Sequence, residues 1–208
     1  MNDLAAYRDD GPLATQLGKL TDGSTIPSAP LVTLVGLAVL AAGLSTLGTG
    51  VGVPVLAASV VGCVLLAGTA AGQELTGRFD WLVPAMLRAG EYGALLVLAL
   101  VAEPTTPSAL PACFVLVAVL VYNHYNITYR LRYQDAAVPR WLRYAGGGWD
   151  VRLLVTFGLF AAGWLPIGMY VVAGVLAVLH VGETVFSWRR AVHAHAAVVD
   201  EEEEDETE

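Results

Sequence analysis

Ionisable side chains inside long apolar stretches are the residues of this sequence that could do chemistry. Within a membrane span such a group costs several kcal/mol unless it is paired or hydrated, so each one is a candidate functional residue. The stretch from about residue 81 to 102 contains Arg88, Glu91 and Tyr92. Arg88 and Glu91 are three residues apart, so they lie on one face of a helix and can form an ion pair. An ion pair that only holds this helix against its neighbours is the structural alternative.

A second polar group ends the apolar stretch that begins near residue 108, in the run YNHYNITYRLRY. Its tyrosines recur at helical spacing, which is typical of a belt at the membrane interface. Asn123, Asn126 and Arg130 form a polar stripe beside them, and a lipid-facing belt has no use for the asparagines or for His124. We therefore expect the asparagines and the histidine to face the helix bundle or a cavity that opens to the cytoplasm.

Two later stretches add polar residues at the same level of the membrane. GGGWDVRLL places Asp150 and Arg152 at the start of one stretch, and HVGETVFSWRR places His180 and Glu183 on one helix face near the end of another. Four separate stretches thus contribute to one candidate ligand-binding cluster: Arg88, Glu91, Tyr92, Asn123, His124, Asn126, Arg130, Asp150, Arg152, His180 and Glu183.

The residue types in this cluster are compatible with two kinds of chemistry. Arginines offer paired donors that suit phosphate, and the candidates are Arg88, Arg130, Arg132 and Arg152. The carboxylates of Glu91, Asp150 and Glu183 could act as bases or bind Mg²⁺, but the sequence predicts no metal site and no other cofactor. His124 or His180 could shuttle a proton. Binding of an anionic head group and proton-coupled transport both remain open at this point.

The composition indicates what kind of chain must position these residues. Of its 208 residues, 56% are hydrophobic and 14% are charged, against about a quarter charged in soluble domains. The net charge of −8 comes from the end of the chain, because eight of the 19 acidic residues lie within 200–208. The remaining 11 acidic residues balance the 11 basic ones. This composition favours a membrane protein and excludes a uniformly basic nucleic-acid-binding domain, so no nucleic acid partner is expected.

Six continuously apolar stretches predict an all-α, polytopic membrane helix bundle with six transmembrane helices. They cover residues 30–47, 51–71, 81–102, 108–130, 149–165 and 166–188. Lysine and arginine are absent from the connections after the first, third and fifth stretches and occur in the others, so both termini are predicted to be cytoplasmic. The expected parts are a cytoplasmic N-terminal segment (1–29), a six-helix domain (30–190) and a disordered acidic cytoplasmic tail (191–208), in a multi-pass protein of the cell membrane.

Several blocks of the sequence together resemble the domain-of-unknown-function 5941 family. They are DGPLATQLGKLTDG (10–23), GRFDWLVPAMLRAGEYG (77–93), NHYNITYRLR (123–132), GGWDVRLL (147–154) and GETVFSW (182–188). The resemblance implies an association with CDP-alcohol phosphatidyltransferase and nucleotidyltransferase modules, which are the expected protein partners besides the lipid bilayer. It therefore implies an accessory role in phospholipid or phospho-polyol head-group metabolism.

The chain is not expected to be such a transferase itself. Residues 10–22 echo fragments of the CDP-alcohol phosphatidyltransferase signature, but Thr15 stands in place of its arginine and Ile26 in place of its last aspartate. Two other functions remain as alternatives: a small proton-coupled transporter or flippase that uses Glu91 and His180, and a structural membrane scaffold. Ten arginines against one lysine, together with the acidic tail, are typical of a salt-tolerant prokaryote.

Overall fold

A computed structural model describes residues 7–21, 28–134 and 139–205 of the chain, with side chains as far as residue 189 except at 134 and 140. Within these ranges the chain is helical and contains no strand. The helices are α1 (Pro12–Thr21), α2 (Ala29–Ser45), α3 (Gly52–Thr69), α4 (Leu82–Ala102), α5 (Ala109–Tyr129), α6 (Arg140–Ala145), α7 (Gly148–Ala161) and α8 (Leu165–Asp205). A short 3₁₀ turn (Ala70–Gly72) follows α3, and a π-helical turn (Arg130–Gln134) extends α5.

Four of these helices are long and apolar enough to cross a membrane. The apolar segments run over Gly52–Gly72, Leu82–Ala102, Ala109–Tyr133 and Leu165–Arg189. Each of the six predicted stretches contains a helix, but α2 is shorter, at 17 residues, and α7 has 14. At a rise of about 1.5 Å per residue, α7 spans roughly 21 Å, less than the hydrocarbon core of about 30 Å. The all-helical, membrane-type architecture is therefore confirmed, whereas six crossings are not established by helix length.

Small residues bring the helices of the bundle into close contact. A Cβ atom on Gly43 of α2 would lie 2.4 Å from the Cβ of Ser59 in α3, and one on Gly36 would lie 3.3 Å from the backbone of Ala67. Such contacts suit helices in lipid, where association depends on close packing rather than on the hydrophobic effect. Buried leucines help to fill the centre, and α3, α4 and α5 contribute Leu56, Leu87, Leu95, Leu98, Leu116 and Leu120.

The polar residues before α2 are part of the bundle. We call residues 7–21 the docked segment, because α1 packs against α3 and α7. Arg8, Asp9 and Ala14 are buried there. The sequence predicts only a cytoplasmic N-terminal segment that precedes the membrane domain. It does not predict this docking, since the segment has no long apolar run.

At the other end of the chain, α8 continues as far as Asp205. The backbone of residues 191–205 is therefore helical where the sequence predicts a disordered tail. Two physical reasons favour the helix. It extends an existing one, so it needs no new nucleus, and the sequence AVHAHAAVVDEEEED is rich in alanine and glutamate, which are good helix formers.

Candidate functional site

Arg152 of α7 lies at the centre of a buried group of charges. Its Nε donates a hydrogen bond to Glu91 Oε1 at 2.6 Å, and its Nη2 donates to Glu91 Oε2 at 3.1 Å and to Asp9 Oδ2 at 2.8 Å. Nη1 also reaches the backbone oxygen of Gly146, at 3.4 Å. All three charged side chains are almost completely buried. One guanidinium thus links α4 and α7 to the docked segment.

The expected ion pair between Arg88 and Glu91 does not form. The carboxylate of Glu91 turns to Arg152, while Nη2 of Arg88 donates to the backbone oxygen of Tyr7 at 2.9 Å. The reason is that Arg152 offers Glu91 two donors in a fixed fork, whereas a pair three residues apart on one helix contributes only a few tenths of a kcal/mol.

Asp9 belongs to the buried group of charges around Arg152, although it is not among the predicted site residues. Burial by itself would raise the pKa of its carboxyl group, but the adjacent Arg152 and the hydrogen bond and charge of His124 hold that pKa well below its ordinary value. Asp9 is therefore ionised at neutral pH. Its backbone is also unusual, with φ at +55°, in the left-handed region that non-glycine residues rarely adopt.

A chain of three polar side chains leads away from Asp9. Asp9 Oδ2 lies 3.4 Å from Nε2 of His124, and Nδ1 of the same ring is hydrogen-bonded to the hydroxyl group of Tyr92. The tautomer with its proton on Nε2 would donate to Asp9 and accept the Tyr92 hydroxyl proton at Nδ1. We call Asp9, Glu91, Tyr92, His124 and Arg152 the central cluster.

Asp150 fastens the docked segment to α7. Its two carboxylate oxygens accept hydrogen bonds from the backbone N–H groups of Gly11 and Ala14, both at 2.8 Å. Asp150 therefore caps the first turn of α1 from another helix, where a negative charge also matches the positive end of the helix dipole. The approach is close: a Cβ atom on Gly148 would lie 2.1 Å from the backbone nitrogen of Gly11.

Arg8 and Asp10 complete this attachment. Nη1 of Arg8 donates to the backbone oxygen of Ala70 at 2.6 Å, at the end of α3, where the helix dipole favours a cation. Its Nε lies 2.9 Å from Asp10 Oδ2, and Asp10 Oδ1 accepts from Trp149 Nε1 at 2.9 Å. The docked segment is thus held at both α3 and α7.

A second polar group joins α5 to α8. Nη2 of Arg130 forms a buried ion pair with Glu183 and also donates to Ser187, while Nδ2 of Asn126 donates to Thr184 Oγ1 at 3.0 Å. Seven of the predicted site residues therefore fall into two contact groups: Glu91, Tyr92, His124 and Arg152 in the central cluster, and Asn126, Arg130 and Glu183 in the second group. The expected burial is confirmed for Asn123, Asn126 and His124, whereas the tyrosine belt is exposed, with Tyr122, Tyr125, Tyr129 and Tyr133 outside.

His180 is buried without a hydrogen-bond partner on either ring nitrogen among the described residues. A Cβ atom on Gly146 would lie 3.3 Å from its Cε1, so the ring lies beside the loop between α6 and α7. It is not part of a metal site there. In the described part of the chain, no group of three or more His, Cys, Asp or Glu residues could hold a metal ion.

A polar cavity of about 280 Å³ opens between the docked segment and α6. We call it the cationic cavity: it is lined by Asp10, Thr15, Lys19, Arg143 and Tyr144. Lys19 lies in the last turn of α1 and is exposed, and Arg143 lies in α6 and is half-buried. Asp10, which binds Arg8 and Trp149, also lines this cavity. Lys19 and Arg143 lie outside the apolar stretches, so hydropathy does not identify them as candidate site residues.

Comparison with known proteins gives one match. A family model with the description "Family of unknown function (DUF5941)" matches residues 1–206. No curated protein matches the chain. No solved structure matches it either.

Proposed function

Because the chain belongs to the DUF5941 family, whose function is unknown, we propose a function from the contacts of its own residues: it is a multi-pass membrane protein that binds a phosphate-bearing group at the cytoplasmic face. The observation that carries this proposal is the cationic cavity, where Lys19 and Arg143 line the same space as a hydroxyl group, that of Thr15. Ammonium and guanidinium groups are the usual partners of phosphate in proteins.

The deeper arginines support this placement of the ligand. Arg152 and Arg130 already bind carboxylates, and Arg8 binds Asp10 and the end of α3. A phosphate group at any of them would have to displace a buried carboxylate or a backbone carbonyl. Lys19 and Arg143 form no ion pair within the described residues. The central cluster then serves as the frame that positions the docked segment, and with it Lys19.

The proposed ligand agrees with the resemblance of the sequence blocks. We propose that the protein acts beside a CDP-alcohol phosphatidyltransferase or a nucleotidyltransferase in head-group metabolism, where substrates and products carry phosphate. The family resemblance supports this role beside a transferase. The cationic cavity supports only the binding of phosphate.

The proposed topology has six spans, with both termini in the cytoplasm. Tyr7 contacts Arg88 and Arg8 contacts Ala70, so the docked segment lies beside the start of α4 and the end of α3. In the proposed topology both of these helix ends are at the cytoplasmic side, which is also the side of the N-terminal segment. The roughly 21 Å of α7 would need local thinning of the bilayer. A reporter fused after Pro104 is expected at the outer surface. A cytoplasmic signal from that fusion would contradict the six-span topology.

Substitution of Arg143 tests the binding proposal. In the purified full-length protein, Arg143→Gln and Lys19→Gln are each expected to weaken the affinity for inorganic phosphate by roughly tenfold, the effect of one charge-assisted hydrogen bond. Isothermal titration calorimetry measures this affinity. The matched control is Arg132→Gln, because Arg132 is exposed and does not line the cavity. Equal affinities in all variants, or no phosphate binding by the unmodified protein, would contradict the proposal.

A competition arm identifies the source of the phosphate. Vesicles of phosphatidylglycerol that compete with inorganic phosphate indicate a lipid head group, and absence of competition indicates a soluble phosphate compound. A structural scaffold, in which the polar residues only hold helices together, predicts no binding in either arm.

Proton-coupled transport is a second candidate, favoured by the Tyr92–His124–Asp9 chain and by His180, which has two buried nitrogens without a described partner. A hydrogen-bonded chain of this kind can pass a proton between its members. In vesicles that contain the protein, transport predicts a phosphate-dependent change of internal pH that His124→Gln removes. Binding without a change of pH favours the first function.

A further inference from the structure

An open groove of about 520 Å³ lies between the first turns of α2 and the start of α4. It is separate from the cationic cavity and shares no lining residue with it. Its walls are mostly apolar: Pro30, Leu31 and Leu34 come from the α2 side, and Leu82 and Met86 from α4. Arg78, Phe79 and Asp80 form its polar end in the connection between α3 and α4.

A close contact between α2 and α4 lies one helical turn beyond the groove. Gly90 of α4 faces Leu37 of α2 so tightly that a Cβ atom on Gly90 would lie 2.2 Å from a Leu37 methyl carbon. One turn earlier in each helix the wall residues are Leu34 and Met86, and the space between the helices is open. Both helices begin at the polar end, so the groove runs from there towards the middle of the apolar layer.

No described part of the chain covers these apolar walls. Leu31 is 51% exposed and Leu34 is 55% exposed. Phe79, at the polar end, is 57% exposed. In a helix bundle with segments long enough to cross a membrane, such a surface meets hydrocarbon, and a concave one can hold a lipid chain for longer than a flat one.

The two charged residues at the polar end, Arg78 and Asp80, differ in exposure. Arg78 is exposed, its guanidinium carbon lies 5.5 Å from the centre of the Phe79 ring, and it forms no ion pair within the described residues. The neighbouring carboxylate of Asp80 is buried, and its Oδ2 accepts a hydrogen bond from the backbone N–H of Gly77 at 2.7 Å. The exposed charge at the groove is therefore positive.

We propose that this groove is a binding site for one anionic phospholipid, with an acyl chain along Leu31, Leu34 and Met86 and the phosphate group at Arg78. The guanidinium group supplies paired donors for phosphate oxygens, and the apolar walls of the groove contact the acyl chain. A zwitterionic lipid of the same chain length would fit the walls equally well. It would gain less from Arg78, because its ammonium group offsets the phosphate charge.

Native mass spectrometry of the full chain tests the site. The protein is released from detergent with equal amounts of phosphatidylglycerol and phosphatidylcholine that carry the same acyl chains. We expect the unmodified protein to retain phosphatidylglycerol roughly tenfold better, in line with one charge-assisted contact. Arg78→Gln removes this preference, and Leu34→Trp, which fills the groove from an exposed position, reduces the retention of both lipids.

Arg132→Gln is the control, since it removes an exposed cation that does not line the groove. If Arg132→Gln and Arg78→Gln reduce the retention of phosphatidylglycerol equally, the lipid binds to positive surface charge in general. That result would overturn the proposal. Retention that is unaffected by Leu34→Trp would also overturn it. Arg78→Gln leaves inorganic phosphate binding unchanged, so failure of this site is distinguishable from failure of the cationic cavity.

Discussion

Replacement of Arg152 by methionine is expected to destabilise the protein by about 3–5 kcal/mol, the usual effect of removing one partner from a buried ion pair. Glu91 and Asp9 would both lose their guanidinium donors while remaining buried. Methionine fills a similar volume and carries no charge. The loss of stability would therefore come from the two unpaired carboxylates and not from a cavity.

Unfolding of the purified protein in mixed micelles, followed by circular dichroism, measures this effect. Arg132→Met is the matched control, because Arg132 is exposed and its loss is expected to change the stability by less than about 0.5 kcal/mol. The double variant Glu91→Gln with Arg152→Met is expected to regain part of the loss, since one of the two unpaired charges is gone. Equal stability of Arg152→Met and the unmodified protein would mean that the central cluster does not hold the bundle together.

Gly148→Ala is expected to displace the docked segment from α7. At this position φ is +61°, which strains any residue with a Cβ atom. The added carbon would also lie 2.1 Å from the backbone nitrogen and 2.3 Å from the Cα of Gly11. Backbone atoms cannot rotate away, so the segment and α7 must separate. The expected cost is at least about 2 kcal/mol, with loss of the hydrogen bonds from Gly11 and Ala14 to Asp150.

Hydrogen exchange of the backbone amides in residues 11–21 detects this displacement directly, and trypsin cleavage after Lys19 gives a second measurement. Gly158→Ala provides the control in the same helix, since a Cβ atom there meets nothing within 4 Å. It is expected to leave exchange in the docked segment unchanged. Protection of residues 11–21 in Gly148→Ala at the level of the unmodified protein would contradict the close packing of Gly11 on Gly148.

Hydropathy was sufficient to locate the long helices. The predicted stretch 81–102 and helix α4 (Leu82–Ala102) differ by one residue, because the length of an apolar run and the polar residues at its ends determine where a membrane-type helix lies. The same reasoning placed Glu91, His124 and Arg152 in the candidate cluster, since each lies within an apolar stretch or near one of its ends. Burial of all three is observed.

The partners of these residues could not be predicted from local spacing. Arg152 binds Asp9, which lies 143 residues earlier in the chain and within a polar segment that hydropathy does not distinguish from a loop. The expected pair of Arg88 and Glu91 is wrong for the same reason: the local rule considers one helix, and the strongest donor for Glu91 is on another. The signal that could have found Asp9 is the motif RDDG, an acidic pair just before the Pro that begins α1.

The docking of residues 7–21 has a consequence for the order in which the protein is built. The segment is synthesised before α7, yet the carboxylate that caps α1 belongs to Asp150, 139 residues after Gly11. At ordinary rates of synthesis that interval is on the order of ten seconds. During this time Asp9 lacks the guanidinium group of Arg152, so its carboxylate has to stay in water. Formation of the early helices and closure of the charged centre are therefore separate events, and the second waits for α7.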